Sequence, residues 1–116
     1  MSDSYVDYIL DLLSPYGNIT AKRMFGGHGI YKDSVIIALI INEELYFKAD
    51  GTNKEQYEKL GSSPFIYEAK GKPVVISYWQ VPLEILEDTS KLPVWMEQSF
   101  EISLKILQEK NRKKKL

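Results

Sequence analysis

Three segments of the chain carry hydrophobic residues at the spacing of a helix. The first places apolar side chains three and four positions apart, at Val6, Ile9, Leu10 and Leu13, which predicts a helix over residues 3–14. A short second helix is predicted over residues 54–60. The third is predicted over residues 92–112, with a proline close to its first position, where a missing N–H is tolerated.

Strand-like segments fill the intervals between these helices. Four are predicted after the first helix, over residues 19–25, 30–31, 35–41 and 45–49, and two after the second, over residues 65–68 and 73–79. The glycine-rich segment 26–29 is predicted to interrupt the first group as a turn or bulge. Strands grouped in hairpins with helices at the ends are typical of an α+β domain. We therefore predict one domain over residues 1–109, a two-layer α/β sandwich on an antiparallel sheet, followed by a basic tail over residues 110–116.

One predicted strand, Val35–Ile41, is apolar throughout. A sheet with one face in water normally alternates apolar and polar residues, so this strand has to bury side chains on both faces. Either the terminal helix or a loop covers the second face, or another chain does. Large apolar patches are uncommon on monomers, so exposure of Ile37, Leu39 or Ile41 would predict a homodimer with two-fold symmetry.

Composition narrows the range of chemistry. The 116 residues include no cysteine and a single histidine, which excludes disulfides and thiol catalysis and disfavours a zinc site. No apolar run approaches the ~20 residues of a membrane span, and the acidic N-terminus does not resemble a signal peptide. We therefore predict a cytoplasmic protein that has no metal, no cofactor and no contact with a membrane.

The charge is distributed unevenly along the chain. Five cations lie in residues 110–116, so residues 1–109 carry a net charge of −6. Nucleic-acid-binding domains usually present a basic face. The acidic body argues against such a function, whereas the tail is suited to nucleic acid or to an acidic partner. The alternative interpretation of the tail is a solvated helix end, where cations interact favourably with the helix dipole.

No cluster of residues forms a recognisable active site. Segment 26–29 does not open a helix as a phosphate-binding loop would, and His28 has no cysteine or second histidine to act with. The adjacent carboxylates Glu43 and Glu44 are best explained as solvated turn residues. We predict no enzymatic activity. A further alternative is an aromatic platform for single-stranded nucleic acid, built from Tyr31, Tyr46, Tyr67 and Trp79 with Arg23 and Lys48.

Two motifs stand out, Met24-Phe25-Gly26-Gly27-His28-Gly29-Ile30-Tyr31 and Ser77-Tyr78-Trp79-Gln80-Val81-Pro82, with shorter ones between them at residues 38–40, 44–50 and 70–73. In this order they resemble the N-terminal domain of the TfoX/Sxy family, the bacterial competence regulators. The resemblance spans residues 15–107. It implies an α-β(3)-α-β(2)-α fold like that of secretion chaperones and no known enzymatic activity. Family regulators that switch on DNA-uptake genes usually carry a second, helical C-terminal domain. This sequence has no segment after its last predicted helix that could form one, so we expect an N-terminal-domain-only member.

We therefore expect a regulatory protein-interaction module that takes part in transcriptional regulation of DNA uptake, with an unidentified protein as its partner. The candidate partner-site residues lie beside the glycine turn: Arg23, Met24, Phe25, Gly26, Gly27 and Tyr31. The alternative is that these residues only pack against and fix that turn. Two further hypotheses are a nucleic-acid-binding accessory protein that uses the basic tail and a small enzyme of unknown reaction.

Overall fold

Four helices and six strands make up the part of the chain that a computed structural model describes, residues 4–24 and 26–114, with side chains as far as residue 112. None of the described helices combines the length and the apolar composition that crossing a membrane would take. The helices are α1 (Ser4–Leu13), α2 (Lys54–Glu58), α3 (Leu83–Leu86) and α4 (Leu92–Lys114). The strands are β1 (Ile19–Met24), β2 (Gly27–Lys32), β3 (Val35–Ile41), β4 (Glu44–Lys48), β5 (Pro64–Ala69) and β6 (Lys72–Gln80).

The six strands form one antiparallel sheet in the order β1-β2-β3-β4-β6-β5. The first four strands follow one another along the chain, and the β5–β6 hairpin joins them through β6, which pairs with β4. This arrangement confirms the predicted α+β fold with an antiparallel sheet. The resemblance implied three strands before the second helix, whereas the structure has four. Four strands agree with the sequence pattern, and the glycine-rich segment extends the short strand predicted at 30–31 into β2, which pairs on both sides.

Three of the hairpins are closed by two-residue turns. Asp33-Ser34, Asn42-Glu43 and Lys70-Gly71 each have a positive φ at both positions, as the type I′ turn requires. This turn matches the right-handed twist of the flanking strands, so it fixes their register. Only one of the six residues is a glycine, and the other five hold a left-handed conformation that costs L-residues free energy.

The helices α1, α2 and α3 and the first half of α4 pack on one face of the sheet, whereas the second half of α4 reaches Tyr31, Ile36 and Lys48 on the other face. Ile30, Ala38 and Phe47 are neighbours in register across the central strands, and all three are buried. They share one hydrophobic core with side chains from every described helix: Val6, Ile9 and Leu13 of α1, Tyr57 of α2, Ile85 and Leu86 of α3, and Leu92, Trp95 and Met96 of α4. The domain therefore has two layers, as the sequence predicts.

β3 buries side chains on both faces, but its regular alternation breaks at one residue. A register shift between Ile30 and Tyr31 leaves Ile37 as an extra residue on β3, which is a β-bulge. Ile37 belongs to the main core, whereas Leu39 and Ile41 are buried outside it. Strict alternation along β3 would place all three residues on one face, and the bulge moves Ile37 to the other.

The three residues are buried within a single chain, with exposed fractions of 0% for Ile37, 1% for Leu39 and 9% for Ile41. Ile41 packs against Gly27 of β2, which has no side chain. The Cδ1 atom of Ile41 lies only 2.8 Å from the point where a Cβ atom at position 27 would be. These residues therefore do not supply the exposed apolar surface on which the predicted homodimer depended. Whether the chain forms a homodimer stays a prediction without these residues as its surface.

β1 and β5 form the two edges of the sheet. On β1, Lys22 and Arg23 are exposed. The β5–β6 hairpin presents apolar side chains to solvent, with Ile66 opposite Val75 in register. Neither edge has a further strand beside it within the described residues, so both are open to addition of a strand.

Candidate functional site

The glycine-rich turn forms one wall of an open cleft of about 680 Å³, which we call the glycine cleft. The cleft lies between the beginning of α1, the β1–β2 turn and the β3–β4 turn. Its lining residues are Tyr5, Val6, Arg23, Met24, Gly26, Gly27, His28, Ile40, Asn42 and Glu43. Four of the predicted partner-site residues, those at positions 23, 24, 26 and 27, therefore share one surface.

Two glycines shape this wall for different reasons. Gly26 has a φ of 75° in the β1–β2 turn, a left-handed conformation that favours glycine. Gly27 lies within β2, where a Cβ atom would overlap the carbonyl oxygen of Ile40. Glycine at position 27 is therefore required by the close approach of β2 and β3.

The floor of the glycine cleft is apolar. Val6 and Ile40 are buried members of the main core, and Met24 is half-buried at the end of β1. The Met24 sulfur reaches over Gly29, where it occupies the position that a Cβ atom would take. Because a thioether side chain adapts its shape easily, this floor suits an apolar side chain of a partner.

The rim of the cleft carries charges of both signs. Arg23 is exposed at the end of β1, and Glu43 is exposed in the β3–β4 turn. Burial raises the pKa of the Tyr5 hydroxyl, and Tyr8, Glu44 and Glu43 raise it further. The two glutamates therefore lie close enough to Tyr5 to make that side of the cleft acidic. A partner segment with an apolar anchor and flanking charges of both signs would complement the cleft.

Glu43 holds a conformation that glutamate rarely adopts. Its φ is 60°, and the preceding Asn42 has a φ of 51°. Asparagine tolerates this left-handed region, but glutamate does not share that tolerance. The type I′ turn favours glycine at the second position, so a glutamate is retained there at a cost in stability. Strained residues of this kind cluster at functional sites.

The composition of the cleft suits the binding of a protein. No group of three or more histidine and carboxylate side chains able to hold a metal ion occurs in the described part of the chain. An apolar floor flanked by charges offers the contacts of protein recognition.

Two predicted partner-site residues do not contribute to the glycine cleft as described. Phe25 lies outside the described residues. Tyr31 is further along β2, about 13 Å from Gly27 at the usual rise of a strand. The Nζ atom of Lys22 lies 5.5 Å from the centre of the Tyr31 ring, and Tyr31 lines a different cleft, together with residues of β6 and α4. Tyr31 therefore does not line the glycine cleft, although its ring and the Met24 side chain both lie beside Gly29.

The aromatic platform for nucleic acid is not assembled as proposed. Tyr46 pairs with Gln80, and Phe47 pairs with Trp79, so Tyr46 and Trp79 lie on opposite faces of the sheet. The Trp79 ring lies 6.3 Å from that of the buried Tyr57. These aromatic residues therefore do not form one continuous stacking surface.

Comparisons with known proteins agree with this fold. The family model described as the TfoX N-terminal domain matches residues 11–103. The chain is 32% identical over 89 residues to the DNA transformation protein TfoX of Haemophilus influenzae. The aligned segment covers 74% of this chain and 41% of that protein. It is also 26% identical over 65 residues to the DNA transformation protein TfoX1 of Aliivibrio fischeri. This second alignment covers 56% of this chain and 31% of the relative. The chain thus spans less than half the length of these curated relatives.

Proposed function

The chain belongs to the TfoX N-terminal domain family, and we propose that it is a non-enzymatic interaction module of bacterial competence that binds a protein partner through the glycine cleft. Both relatives are named DNA transformation proteins, which supports a role for this chain in the uptake of DNA. Through its partner, the module acts in the cytoplasm on the transcription of DNA-uptake genes.

One observation carries the proposal. Three segments that are distant in sequence, the start of α1, the β1–β2 turn and the β3–β4 turn, converge on an apolar floor between opposite charges. The cleft adjoins the end of β1, an edge strand with no further strand beside it among the described residues. An extended partner segment can therefore pair with β1 while one of its apolar side chains enters the cleft, which is recognition by strand addition.

Affinity capture from the native cell tests this function. The full chain is used as bait, in the presence and absence of nuclease, and compared with the variant Arg23→Glu. We expect a protein that is captured by the wild type whether or not nuclease is added. Reversal of the Arg23 charge should lower the captured amount by about tenfold, because a rim charge steers and orients the partner.

Lys54→Glu is the matched control, because it makes the same change of charge at an exposed position on α2, away from the cleft. Circular dichroism confirms that both variants are folded. If Arg23→Glu and Lys54→Glu capture the partner equally well, or if repeated captures yield only the bait, the glycine cleft is not a protein-binding site.

A second candidate function is nucleic-acid binding, and the observation that favours it concerns α4. The helix continues to Lys114, and the described side chains from residue 105 onward are exposed, including Lys110 and Arg112. A cationic helix end binds phosphate in a salt-dependent manner. If removal of residues 113–115 leaves retention on DNA or RNA unchanged, this candidate is rejected. If a protein captured by the wild type is lost when nuclease is added, this candidate is supported.

A further inference from the structure

A second cleft, which we call the α4 cleft, lies between the second half of α4 and the β2–β3 hairpin, β4 and β6. Its volume is about 320 Å³, at the lower end of the range of small-molecule sites. Its lining residues are Tyr31, Ser34, Val35, Ile36, Lys48, Tyr78, Ser103, Ile106, Leu107 and Lys110. The glycine cleft shares none of these residues, so the two sites are separate.

The walls of the α4 cleft are mainly apolar. Tyr31 and Ile36 are cross-strand partners in the β2–β3 hairpin. Burial raises the pKa of Tyr78 of β6, and Tyr31 lies close enough to raise it further. Ile106 and Leu107 supply the wall on α4, and both are exposed. Two phenol rings facing two aliphatic side chains suit a flat or branched apolar group.

Lysine side chains give the α4 cleft its charge. Lys48 and Lys110 both line it, and the Nζ atom of Lys48 lies 5.0 Å from the centre of the Tyr78 ring. Burial lowers the pKa of Lys48. The carboxylate of Asp50 opposes this shift, and the nearby charge of Lys110 adds to it. No carboxylate occurs among the described residues that line the cleft. Asp50 and Lys110 both lie close enough to Lys48 to change its pKa, so a bound anion beside Lys48 would offset the repulsion from Lys110.

Ser103 adds an unpaired polar group to this site. The residue is 6% exposed, and its hydroxyl has no hydrogen-bond partner within the described part of the chain. A buried polar group without a partner costs free energy. Rotation about the Cα–Cβ bond brings a serine hydroxyl to other staggered positions, from which it can donate to a ligand in the cleft.

We propose that the α4 cleft binds a small amphipathic anion, namely a carboxylate that carries an aromatic or branched aliphatic group. The carboxylate lies between the ammonium groups of Lys48 and Lys110. The apolar group lies between the two tyrosines and the exposed side chains of α4. This site goes beyond the protein-binding function proposed above and does not depend on it.

Two dyes with the same ring system test the proposal by fluorescence titration of the full chain. 8-Anilino-1-naphthalenesulfonate is an anion, and N-phenyl-1-naphthylamine lacks the sulfonate. We expect the anionic dye to bind more tightly to the wild type and benzoate to displace it. The double variant Lys48→Met and Lys110→Met keeps the apolar stems but removes both charges. It should lower the affinity for the anionic dye by about tenfold and leave the affinity for the neutral dye unchanged.

A second pair of variants places the dye in the cleft. Ile106→Glu introduces a negative charge at an exposed wall position and should abolish binding of the anionic dye. Val94→Glu makes a comparable change at an exposed position on the same helix, outside the cleft, and should have no effect. The proposal is overturned if the wild type binds both dyes equally, if the lysine variant retains the anionic dye, or if Ile106→Glu binds as Val94→Glu does.

Discussion

The hydroxyl of Ser99 donates a hydrogen bond of 2.8 Å to the backbone carbonyl oxygen of Lys48. Ser99 lies fully buried on α4, and Lys48 is the last residue of β4. The bond therefore fixes the position of the helix on the sheet, next to the α4 cleft that Lys48 also lines.

Replacement of Ser99 by alanine should destabilise the fold. Loss of the donor leaves a carbonyl oxygen without this partner, so we expect the free energy of unfolding to fall by about 1–2 kcal/mol. Ser103→Ala, one turn later, is the control, because the Ser103 hydroxyl has no partner among the described residues and its loss should leave stability unchanged or raise it. Urea denaturation of the two variants measures the difference. Equal destabilisation would contradict the structural role of the Ser99 bond.

Alanine substitutions at three glycines should rank by what a methyl group would meet. At Gly27 a Cβ atom would overlap the rigid backbone of Ile40, so Gly27→Ala should cost about 3 kcal/mol. Gly26→Ala meets open space but keeps a positive φ, which should cost about 1 kcal/mol. Gly51→Ala meets open space without that constraint and should change stability by less than about 0.5 kcal/mol. Thermal unfolding of the three variants checks the order, which a large effect at Gly51 would refute.

Glycine substitutions in two turns should separate stability from binding. Glu43 and Ser34 both occupy the second position of a type I′ turn with positive φ, so Glu43→Gly and Ser34→Gly should each stabilise the fold by about 0.5–1 kcal/mol. Only Glu43 lines the glycine cleft. Affinity capture should therefore weaken for Glu43→Gly and stay unchanged for Ser34→Gly. Equal capture by the two variants would show that Glu43 is not part of a binding surface.

Stability should fall at alkaline pH because of Tyr78. Burial raises the pKa of Tyr78 to about 12, and Tyr31 adds a smaller effect. Below pH 10 the hydroxyl is protonated in both states. Between about pH 10 and pH 12 the unfolded chain loses this proton while the folded chain keeps it, so stability decreases as pH rises. The unfolding temperature of the wild type should fall more steeply over this interval than that of Tyr78→Phe, and parallel curves would argue against the shift.

Local patterns were enough to predict most elements of the fold, although helix α3 was not among them. The apolar run of β3, the helical spacing of α1 and the turn residues between strands each depend on near neighbours in sequence. The bulge at Ile37 could not be predicted, because it arises from the pairing of two strands. The strand character of segment 27–29 was missed for a related reason: a run of glycines resembles a loop until the carbonyl oxygen of Ile40 is known to approach it.

The site was predictable only in part. Arg23, Met24, Gly26 and Gly27 are consecutive or nearly so, and they remain together in the glycine cleft. Tyr5 of α1 and Glu43 of the β3–β4 turn join them only through tertiary packing, and the sequence carries no local signal for that contact. Tyr31 is close in sequence but further along the strand, where it lines the α4 cleft.

The open edges of the sheet bear on how concentrated the protein can become. If the β5 edge of one molecule met the β1 edge of the next, the same contact could repeat without closing and would produce a fibre. The exposed Lys22 and Arg23 on β1 oppose such stacking, because pairing with the β5 edge of the next molecule would remove water from both cations. Colloidal solubility therefore depends on two side chains that add nothing to the core, and neutralising both should cause precipitation before any loss of folded structure.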